Sequence, residues 1–315
     1  MKISQNFDAK ANCVLYEGNC LELLKQIPDE TVKLVVTSPP YNLGKEYEKR
    51  LNLNEYLEQQ KQVIAECVRV LHTEGSICWQ VGNFVNNSEI IPLDIVLYPI
   101  FASLGLHLRN RIVWEFGHGL HASKRFSGRY EVILWFTKSN KYTFNLDPIR
   151  VPQKYPQKKY FKGPRKGELS GNPLGKNPSD IWDVPNVKAN HVEKTIHPCQ
   201  FPVELIERLV LSMTNEHDWV LDPFMGVGST AIASLLHNRK VVGAEIMSSY
   251  LSIAKERIDK AVKGELQIRP MERPVYNPNE KTEYIPPKVI KIEKAETAQL
   301  NLMEKRGKYK VEKKK

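Results

Sequence analysis

Short apolar segments alternate with amphipathic segments of helical length along most of the chain. The segments ANCVLYE at 11–17, VKLVVT at 32–37 and SICWQVG at 76–82 have the composition of buried strands, and apolar residues recur at helical spacing over 53–72. Such an alternation predicts a parallel sheet flanked by helices, and therefore an α/β fold. With 315 residues, the chain can form one large α/β domain with an insertion, or two small domains.

The balance of charge favours an anionic partner. The formal net charge is +10 and the sequence pI is about 9.2, and basic surfaces neutralise phosphates and release counterions. Many basic proteins bind no nucleic acid, so charge alone does not identify the partner. The five cysteines form no C-x-x-C pair and no cluster at zinc spacing, which favours reduced thiols in a cytosolic protein without a metal site: Cys13, Cys20, Cys67, Cys78 and Cys199.

Neither a secretion signal nor a membrane span is expected. The N-terminal segment MKISQNFDAK lacks an apolar core, and the most apolar window, 90–106, is interrupted by Pro92, Asp94 and Pro99. We therefore expect a cytoplasmic protein that does not enter a membrane.

The strand predicted at 32–37 ends in an unusual turn, TSPPYN at 37–42. Proline cannot donate a hydrogen bond to a sheet, and each proline restricts the residue before it to extended conformations. Pro39 and Pro40 therefore end the strand in a turn of restricted backbone conformation. This rigid turn presents the side chains of Ser38 and Tyr41. A turn that only terminates a strand has the same composition, so the rest of the chain must distinguish the two interpretations.

A second turn of special composition, DPFMGVGST at 222–230, lies between a predicted strand and a predicted helix. Gly226 and Gly228 let the backbone approach a ligand closely, and the helix that follows offers unpaired N–H groups in its first turn. Position 231 is alanine, so the complete dinucleotide fingerprint is not present. Glu245, at the end of the next predicted strand, can accept both hydroxyls of a ribose. These elements together predict half of a nucleoside-binding sheet.

The two turns together closely resemble the paired signatures of the S-adenosylmethionine-dependent DNA amino-methyltransferases, which modify N4 of cytosine or N6 of adenine. The resemblance covers roughly residues 11 to 262, in the permuted order in which the catalytic motif precedes the cofactor motif. It implies a Rossmann-like methyltransferase fold, with a mainly parallel central sheet flanked by helices and an inserted irregular target-recognition region. It also implies S-adenosylmethionine as cofactor and double-stranded DNA as substrate, in a prokaryotic or phage-encoded protein.

A cognate restriction endonuclease that acts on the same DNA site is a possible partner on the same ground. The resemblance leaves open whether the protein is a monomer or a homodimer. It divides the chain, together with the changes in composition, into a catalytic half at 1–138, a target-recognition insertion at 139–194, a cofactor-binding half at 195–264 and a basic extended tail at 265–315.

Two irregular regions carry further expectations. The insertion is rich in Lys, Pro and Gly, but its tyrosines, Phe161 and Trp182 favour an ordered module with aromatic anchors over a flexible linker. The Gly-rich basic segment 117–129 is expected to be a mobile loop over the site. Much of the polar tail is expected to be extended or disordered.

By the family resemblance, the target amino group is methylated at the S-P-P-Y turn. Ser38 Oγ and the carbonyl of Pro39 would accept hydrogen bonds from the amino group and stabilise the developing tetrahedral nitrogen, while Pro40 keeps that carbonyl from turning away. Tyr41 would stack on the target base, which must leave the duplex because its amino group is inaccessible inside the stack. The reaction requires no metal and no covalent intermediate.

The resemblance also assigns the cofactor site. HPCQFP at 197–202 leads into a helix similar to the one that flanks the methionine end of the cofactor in this family. EGNCLELL at 17–24 is similar to the turn whose acid meets the cofactor adenine, although Asn19 stands here in place of that acid. The predicted cofactor residues are Asn19, His197, Gln200, Asp222, Phe224, Gly226, Gly228, Thr230 and Glu245.

Basic residues in two segments are expected to contact DNA phosphates as a set. Any one of them, taken alone, is more simply a solvated side chain. The set comprises Lys124, Arg125 and Arg129 in the Gly-rich loop, and Lys154, Lys158, Lys159, Lys162, Arg165 and Lys166 in the insertion.

Other functions remain open on the sequence. Pro198-Cys199-Gln200 resembles the catalytic tripeptide of the cytosine carbon-5 methyltransferases, but it precedes the glycine turn and no Glu-Asn-Val signature accompanies it, so Cys199 is expected to be a small packing residue. A methyltransferase for RNA or for a protein amide would use a similar turn, and a non-catalytic nucleic-acid-binding protein would keep the basic residues. Ser38 favours cytosine N4 over adenine N6, because family members that act on adenine more often carry Asp or Asn there.

Overall fold

The computed structural model describes residues 1–46, 48–86, 89–117, 119, 121–271, 273 and 285–292. In these residues the strands are β1 (Ile3–Ser4), β2 (Cys13–Glu17), β3 (Val32–Thr37), β4 (Leu71–Val81), β5 (Asn83–Asn86), β6 (Glu89–Pro92), β7 (His107–Glu115), β8 (Tyr130–Thr137), β9 (Ile181–Asp183), β10 (Trp219–Asp222), β11 (Lys240–Glu245), β12 (Leu266–Ile268) and β13 (Lys288–Ile290). The helices are α1 (Cys20–Leu24), α2 (Leu53–Val70), α3 (Leu93–Ser103), α4 (Val203–Met213), α5 (Ser229–Leu236) and α6 (Ser248–Lys263), with a 3₁₀ turn at Asp147–Ile149.

A central sheet organises the described residues, with strands in the order β1-β2-β11-β10-β3-β4-β8-β7-β9. The neighbours from β1 to β4 in this order run parallel, β8 is antiparallel to both β4 and β7, and β9 is parallel to β7. The predicted α/β fold with a mainly parallel sheet is therefore confirmed. β11 and β10 lie between β2 and β3, although β2 and β3 are consecutive strands in the sequence.

Apolar side chains of the central strands alternate between the two faces of the sheet. Leu34 and Val36 of β3 pack into the same cluster as α4, α5 and α6, whereas Val35 packs into the cluster that contains α1, α2 and α3. A strand buried on both faces shows a near-continuous apolar run, as Leu34–Val36 of VKLVVT do. Complete burial of an aliphatic side chain stabilises the fold by about 1.5–3 kcal/mol, so these strands hold the turns at their ends firmly in place.

Helix α2 follows the spacing that the sequence predicts. Asn52 caps its first turn by accepting a hydrogen bond from the Glu55 N–H at 3.0 Å, and the Glu55 side chain accepts from the Asn52 N–H at 3.3 Å. This reciprocal capping box satisfies two donors at the helix start. Val63, Ile64 and Cys67 on the predicted apolar face are buried. None of the described helices has the length and hydropathy needed to cross a membrane.

The insertion 139–194 is mostly irregular, but one of its segments enters the central sheet. β9 pairs with β7, and Trp182 on this strand is buried. Trp182 is therefore an anchor, as predicted. Phe161 is 89% exposed, and the prediction that it anchors the module is wrong. Phe161 lies in a short irregular hairpin, 158–170, that is closed by its own backbone hydrogen bonds.

Part of the tail, of which much is predicted to be extended or disordered, is packed into the protein. β12 and β13 pair antiparallel, and Arg269, just after β12, is buried. Its N–H donates to Glu193 Oε1 at 3.0 Å and its guanidinium pairs with Glu204 of α4. Residues 293–315 lie outside the described part of the chain. The apolar tail residues that belong to the core, although no sequence pattern predicted them there, are Leu266, Ile268, Ile290 and Ile292.

Candidate active site

A cavity of about 520 Å³ lies at the carboxyl ends of the central parallel strands. Ligand pockets commonly measure about 300–1,000 Å³, and in open α/β sheets they lie at this edge. The cavity wall includes the S-P-P-Y turn at 38–41, Asn19, residues 222–227 of the glycine turn, and Glu245. The fold therefore brings the predicted catalytic residues and most of the predicted cofactor residues to one site.

Asp222 joins the S-P-P-Y turn to the glycine turn. Its Oδ1 accepts from Thr37 Oγ1 at 2.6 Å and from the Phe224 N–H at 3.1 Å, and its Oδ2 accepts from Thr230 Oγ1 at 2.6 Å. Burial raises the pKa of Asp222 to about 6. Asp222 and Thr230 border the cavity, but these bonds make them the clamp that positions the two turns. Sequence reasoning missed Thr37, whose only signal is a hydroxyl at the end of an apolar strand.

Gly226 and Glu245 form the wall on which a nucleoside was predicted to bind. Gly226 has φ of 52°, and its N–H donates to Glu245 Oε2 at 2.9 Å. Glu245 Oε1 accepts from the Met247 N–H at 2.8 Å. Each carboxylate oxygen retains a further lone pair, so Glu245 can still accept from ligand hydroxyls while it holds the turn. Burial raises the pKa of Glu245.

Gly228 has a different position from the one that the sequence predicts. It is the N-cap residue of α5 with φ of 80°, and a Cβ there would lie 2.9 Å from the Cβ of Ala254 in α6. It does not belong to the residues that line the cavity. Gly228 therefore permits α5 and α6 to pack closely behind the glycine turn. Gly243, which sequence reasoning missed, is similar: its Cβ would lie 2.6 Å from the Asp222 carbonyl oxygen.

His197 and Gln200 lie on the cavity wall in the segment before α4. The His197 ring packs on Tyr250, with ring centroids 4.5 Å apart, and burial lowers the pKa of His197 to about 4. Gln200 Oε1 accepts from Thr195 Oγ1 at 2.8 Å, and its Nε2 donates to the Glu193 carbonyl at 2.8 Å. The Gln200 amide thus shapes the segment that presents His197.

Asn19 and Cys199 also border the cavity. Asn19 is the N-cap of α1, where its Oδ1 accepts from the Leu21 N–H at 2.9 Å. Cys199 is exposed, so the prediction that it is a small packing residue is wrong. The physical reason is that the segment from His197 to Gln200 forms a wall of the cavity and not a part of the core.

A hydrogen-bonded group lies beside the S-P-P-Y turn. Ser38 Oγ and Tyr41 Oη are 3.0 Å apart, and Tyr41 Oη lies 2.6 Å from Gln80 Oε1 and 3.1 Å from Glu131 Oε2. Gln80 Nε2 donates to Glu131 Oε2. Sequence reasoning missed Gln80 and Glu131. The signal for both was a polar side chain inside or at the start of an otherwise apolar strand.

Helix α2 supports the proline pair from one side. Tyr56 Oη donates to the Pro40 carbonyl at 3.0 Å, and both Tyr56 and Pro39 are buried. This bond fixes the peptide group that follows Pro40. The turn is therefore rigid both through its prolines and through a contact from α2.

The Gly-rich segment 117–129 connects β7 to β8, and two of its residues, His118 and Leu120, lie outside the described residues. β8 begins at Tyr130, next to the Glu131 that contacts the S-P-P-Y turn. The C-terminal end of the loop therefore lies beside the candidate catalytic residues. Its mobility and its position over the site stay predictions.

Most of the predicted DNA-binding residues are exposed. Arg129 is half-buried, and its Nη1 donates to the Gly128 carbonyl at 2.8 Å. Arg165 pairs with Glu168 at 2.9 Å, so part of its charge is already compensated. The exposed members of the set are Lys124, Arg125, Lys154, Lys158, Lys159, Lys162, Arg165 and Lys166.

Neutralising the hairpin charges is expected to weaken DNA binding and flatten its salt dependence. The variant carries glutamine at Lys158, Lys159, Lys162 and Lys166, and each lost phosphate contact should reduce the slope of log K against log salt by about 0.9. Fluorescence anisotropy over a salt series measures the slope. A matched variant with four exposed lysines changed outside both basic segments controls for net charge: Lys10, Lys25, Lys61 and Lys263. Equal slopes in the two variants would place the DNA surface elsewhere.

Comparison with known proteins agrees with this geometry. A family model described as DNA methylase, for the N6 and N4 methyltransferases, matches residues 32–256. The Type II methyltransferase M.BglII of Bacillus subtilis is 57% identical over 241 residues, which cover 76% of this chain and 67% of that protein. The DNA adenine methyltransferase YhdJ of Escherichia coli is 34% identical, over 81% of this chain and 85% of that protein.

Solved structures share the fold. The PvuII DNA methyltransferase, cytosine-N4-specific, has a TM-score of 0.62 at 20% identity, and the match covers 78% of this chain and 86% of that one. The Thermus thermophilus DNA modification methylase TTHA0409, complexed with S-adenosyl-L-methionine, has a TM-score of 0.56 at 28% identity, over 78% of this chain and 93% of that one. The chain therefore belongs to the N6/N4 family of DNA methylases, and it is an S-adenosylmethionine-dependent DNA amino-methyltransferase.

Proposed function

We propose that this enzyme methylates N4 of a flipped-out cytosine in double-stranded DNA. The observation that carries the proposal is Ser38, which stands first in the S-P-P-Y turn and lines the cavity with a neutral hydroxyl. Family members that act on cytosine N4 most often have serine at this position, and those that act on adenine N6 more often have aspartate or asparagine. The proteins above that are named for a base divide between adenine and cytosine, so the residue at position 38 supplies the distinction.

The cavity fits the cofactor in its size and in its chemistry. When bound, S-adenosylmethionine supplies an electrophilic methyl group on a cationic sulfonium. Gly226 leaves the wall free of a side chain, and Glu245 offers acceptors for hydroxyl groups. Burial, assisted by Lys194, lowers the pKa of His197 to about 4, so the imidazole is neutral near pH 7 and adds no positive charge to the site.

The S-P-P-Y turn prepares the amino nitrogen for methylation. Its lone pair is delocalised into the base, and acceptors that bind the two amino hydrogens favour the tetrahedral nitrogen in which the pair is available. Ser38 Oγ and the Pro39 carbonyl are the acceptors in this proposal. Tyr41 stacks on the base after it leaves the duplex. The rigid turn then aligns the nitrogen with the methyl carbon, and this alignment supplies a further part of the rate.

Mass spectrometry of nucleosides tests which base is modified. Unmethylated genomic DNA is incubated with enzyme and cofactor and digested, and N4-methyldeoxycytidine is expected. Parallel reactions with RNA and with protein should incorporate no methyl groups. N6-methyldeoxyadenosine without N4-methyldeoxycytidine would contradict the proposal, while the family would remain the same.

The biological setting is part of the same proposal. The Type II name of the Bacillus subtilis relative supports a cognate restriction endonuclease with the same recognition sequence. The insertion 139–194 supplies the target-recognition surface, and the enzyme works on DNA in the bacterial cytoplasm. Methylation-sensitive sequencing of DNA from a host that expresses the gene would define the site, and an endonuclease that still cleaves this methylated DNA would not be the partner.

A further inference from the structure

Glu131 is a carboxylate that the acceptor mechanism does not use, although it is within hydrogen-bond distance of Tyr41, one of the predicted catalytic residues. It reaches the site from the start of β8, and the S-P-P-Y turn follows β3. Tyr41 Oη lies 3.1 Å from Glu131 Oε2 and 3.0 Å from Ser38 Oγ. A continuous chain of hydrogen-bonding oxygens therefore runs from Ser38, through Tyr41, to Glu131.

The number of available hydrogens fixes the direction of this chain. An ionised Glu131 only accepts, so Gln80 must turn its amide nitrogen toward it, as the Nε2 contact shows. Gln80 then presents its oxygen to Tyr41 at 2.6 Å. Tyr41 faces two acceptors, Gln80 Oε1 at 2.6 Å and Glu131 Oε2 at 3.1 Å, so its single proton is shared between them and is not available to Ser38. Ser38 must therefore donate to Tyr41, which leaves the lone pairs of Ser38 Oγ available to the amino group of the base.

The surroundings keep Tyr41 and Glu131 in the protonation states that this chain requires. Burial raises the pKa of Tyr41 well above its usual value, so the phenol retains its proton at neutral pH. Burial also raises the pKa of Glu131, although the bonds from Tyr41 and Gln80 and the charge of Lys188 act in the opposite direction. A carboxylate with a raised pKa is a better proton acceptor near neutrality than an ordinary one.

Methylation of an amino group produces a proton that must leave. The nitrogen–carbon bond forms while the carbon–sulfur bond breaks with its electron pair going to sulfur, and the nitrogen becomes cationic. We propose that Glu131 takes up the proton released by this nitrogen through Ser38 and Tyr41. The amino proton passes to Ser38 Oγ as the Ser38 proton passes to Tyr41 Oη and the Tyr41 proton to the Glu131 carboxylate.

The balance of this step needs no other reactant. The nitrogen returns to neutrality, Ser38 and Tyr41 regain one proton each, and Glu131 ends protonated until it exchanges with solvent. The inference rests on the proposed role of Ser38, but it holds for cytosine N4 and adenine N6 alike. Glu131 is a positioning residue in this scheme, because it acts on the base only through Tyr41 and Ser38.

The pH dependence of single-turnover methylation tests the inference. Glu131 must be ionised to accept, so the wild-type rate should fall as the pH drops through the Glu131 pKa and reach a plateau above it. Glu131→Gln keeps the shape of the side chain and removes the charge. We expect its rate on the plateau to fall about 100-fold, within the range that a positioned proton acceptor contributes, with the acidic limb of the profile abolished. Cofactor affinity measured by calorimetry should change less than about twofold.

Two further variants keep the test decisive. Tyr41→Phe preserves the ring and breaks the chain, so it should lose the same acidic limb, and the double variant should be no slower than the slower single variant. Glu115→Gln, an exposed glutamate at the end of the neighbouring strand β7, is the matched control and should behave as wild type. If Glu131→Gln fails to bind cofactor, Tyr41→Phe decides alone.

The outcomes separate this inference from the proposed function. Wild-type rates and an intact acidic limb in both Glu131→Gln and Tyr41→Phe would overturn the relay and assign the proton to solvent. The base assignment is tested independently, by the nucleosides found in the same reactions. A Ser38→Ala variant within about threefold of the wild-type rate would instead remove the acceptor role on which both the relay and the proposed function depend.

Discussion

Replacing Ser38 with alanine is expected to slow methyl transfer about 100- to 1,000-fold while the cofactor remains bound. The variant removes one preorganised hydrogen-bonding group at the reacting nitrogen, and such a loss costs about 2.7–4 kcal/mol by analogy with oxyanion-hole donors. The side chain is small, and Thr37 and Tyr56 continue to hold the turn. Single-turnover incorporation of labelled methyl groups measures the rate, and calorimetry measures cofactor affinity.

Cys199→Ser is the comparison that distinguishes the two methyltransferase chemistries. Cys199 is exposed at the cavity wall, and the amino-group mechanism does not need a thiolate, so this variant should stay active. A folded Cys199→Ser enzyme without activity would indicate attack on the ring and methylation of carbon 5. A Ser38→Ala enzyme within about threefold of the wild-type rate would remove Ser38 from catalysis.

Replacing Gly226 with valine is expected to abolish detectable cofactor binding, and methylation with it. Gly226 has φ of 52°, and an added Cβ would lie 3.5 Å from His197 Nε2, inside the cavity. The branched methyl groups of valine extend further. They would fill the space in which the cofactor is predicted to lie against the backbone of Gly226. The strained turn would also misdirect the N–H that Glu245 accepts. Calorimetric titration with S-adenosylmethionine measures the loss.

A second glycine isolates the effect of the cavity from the effect of strain. Gly105, after α3, has φ of 77°, and an added Cβ there meets no atom of the described residues within 4 Å. Gly105→Val carries a comparable backbone cost, on the order of 1–3 kcal/mol, so both variants should unfold at lower temperature. Only Gly226→Val should lose the cofactor. Wild-type affinity in Gly226→Val would show that the glycine turn is not the cofactor site.

The features that could be predicted from the sequence are those that a single segment carries by itself. VKLVVT is mostly apolar because β3 is buried on both faces, and the period of α2 is visible because one helix face packs on the sheet. The S-P-P-Y and glycine turns could be recognised because each is a contiguous run of unusual residues. Their meeting at one edge followed from the parallel sheet, in which the carboxyl ends of strands lie together.

The features that could not be predicted depend on partners distant in the sequence. Gln80 and Glu131 meet Tyr41 only because β4 lies beside β3 and β8 beside β4. β12 and β13 are buried because they pack into the same apolar cluster as α4 and α6. The tail is rich in Pro, Lys and Glu, and this composition did not indicate that any of it would be buried. Phe161 shows the converse: an aromatic side chain was expected to be an anchor, and no neighbouring element covers it in the described structure.

A motif also cannot distinguish a residue that contacts a ligand from one that supports the contact. Asp222 and Thr230 belong to the cofactor signature, but their side chains bond to each other and to Thr37. Gly228 belongs to the same signature and packs against Ala254. The sequence pattern therefore identifies all residues that build the turn. Only the structure shows which of them face the cavity and which hold the turn in place.

The position of β10 and β11 between β2 and β3 has a consequence for co-translational folding of the enzyme. A nascent chain that has emerged only as far as α4 contains both outer strands but neither of the strands that join them, so β2 and β3 each present an unpaired edge. Such edges are the ones that aggregate or recruit chaperones. Thr37 likewise lacks Asp222, its partner in the clamp, until the last third of the chain is made. The site can therefore assemble only after β10 and β11 have been translated, and a chain that stops before Asp222 lacks both central strands and the clamp residue.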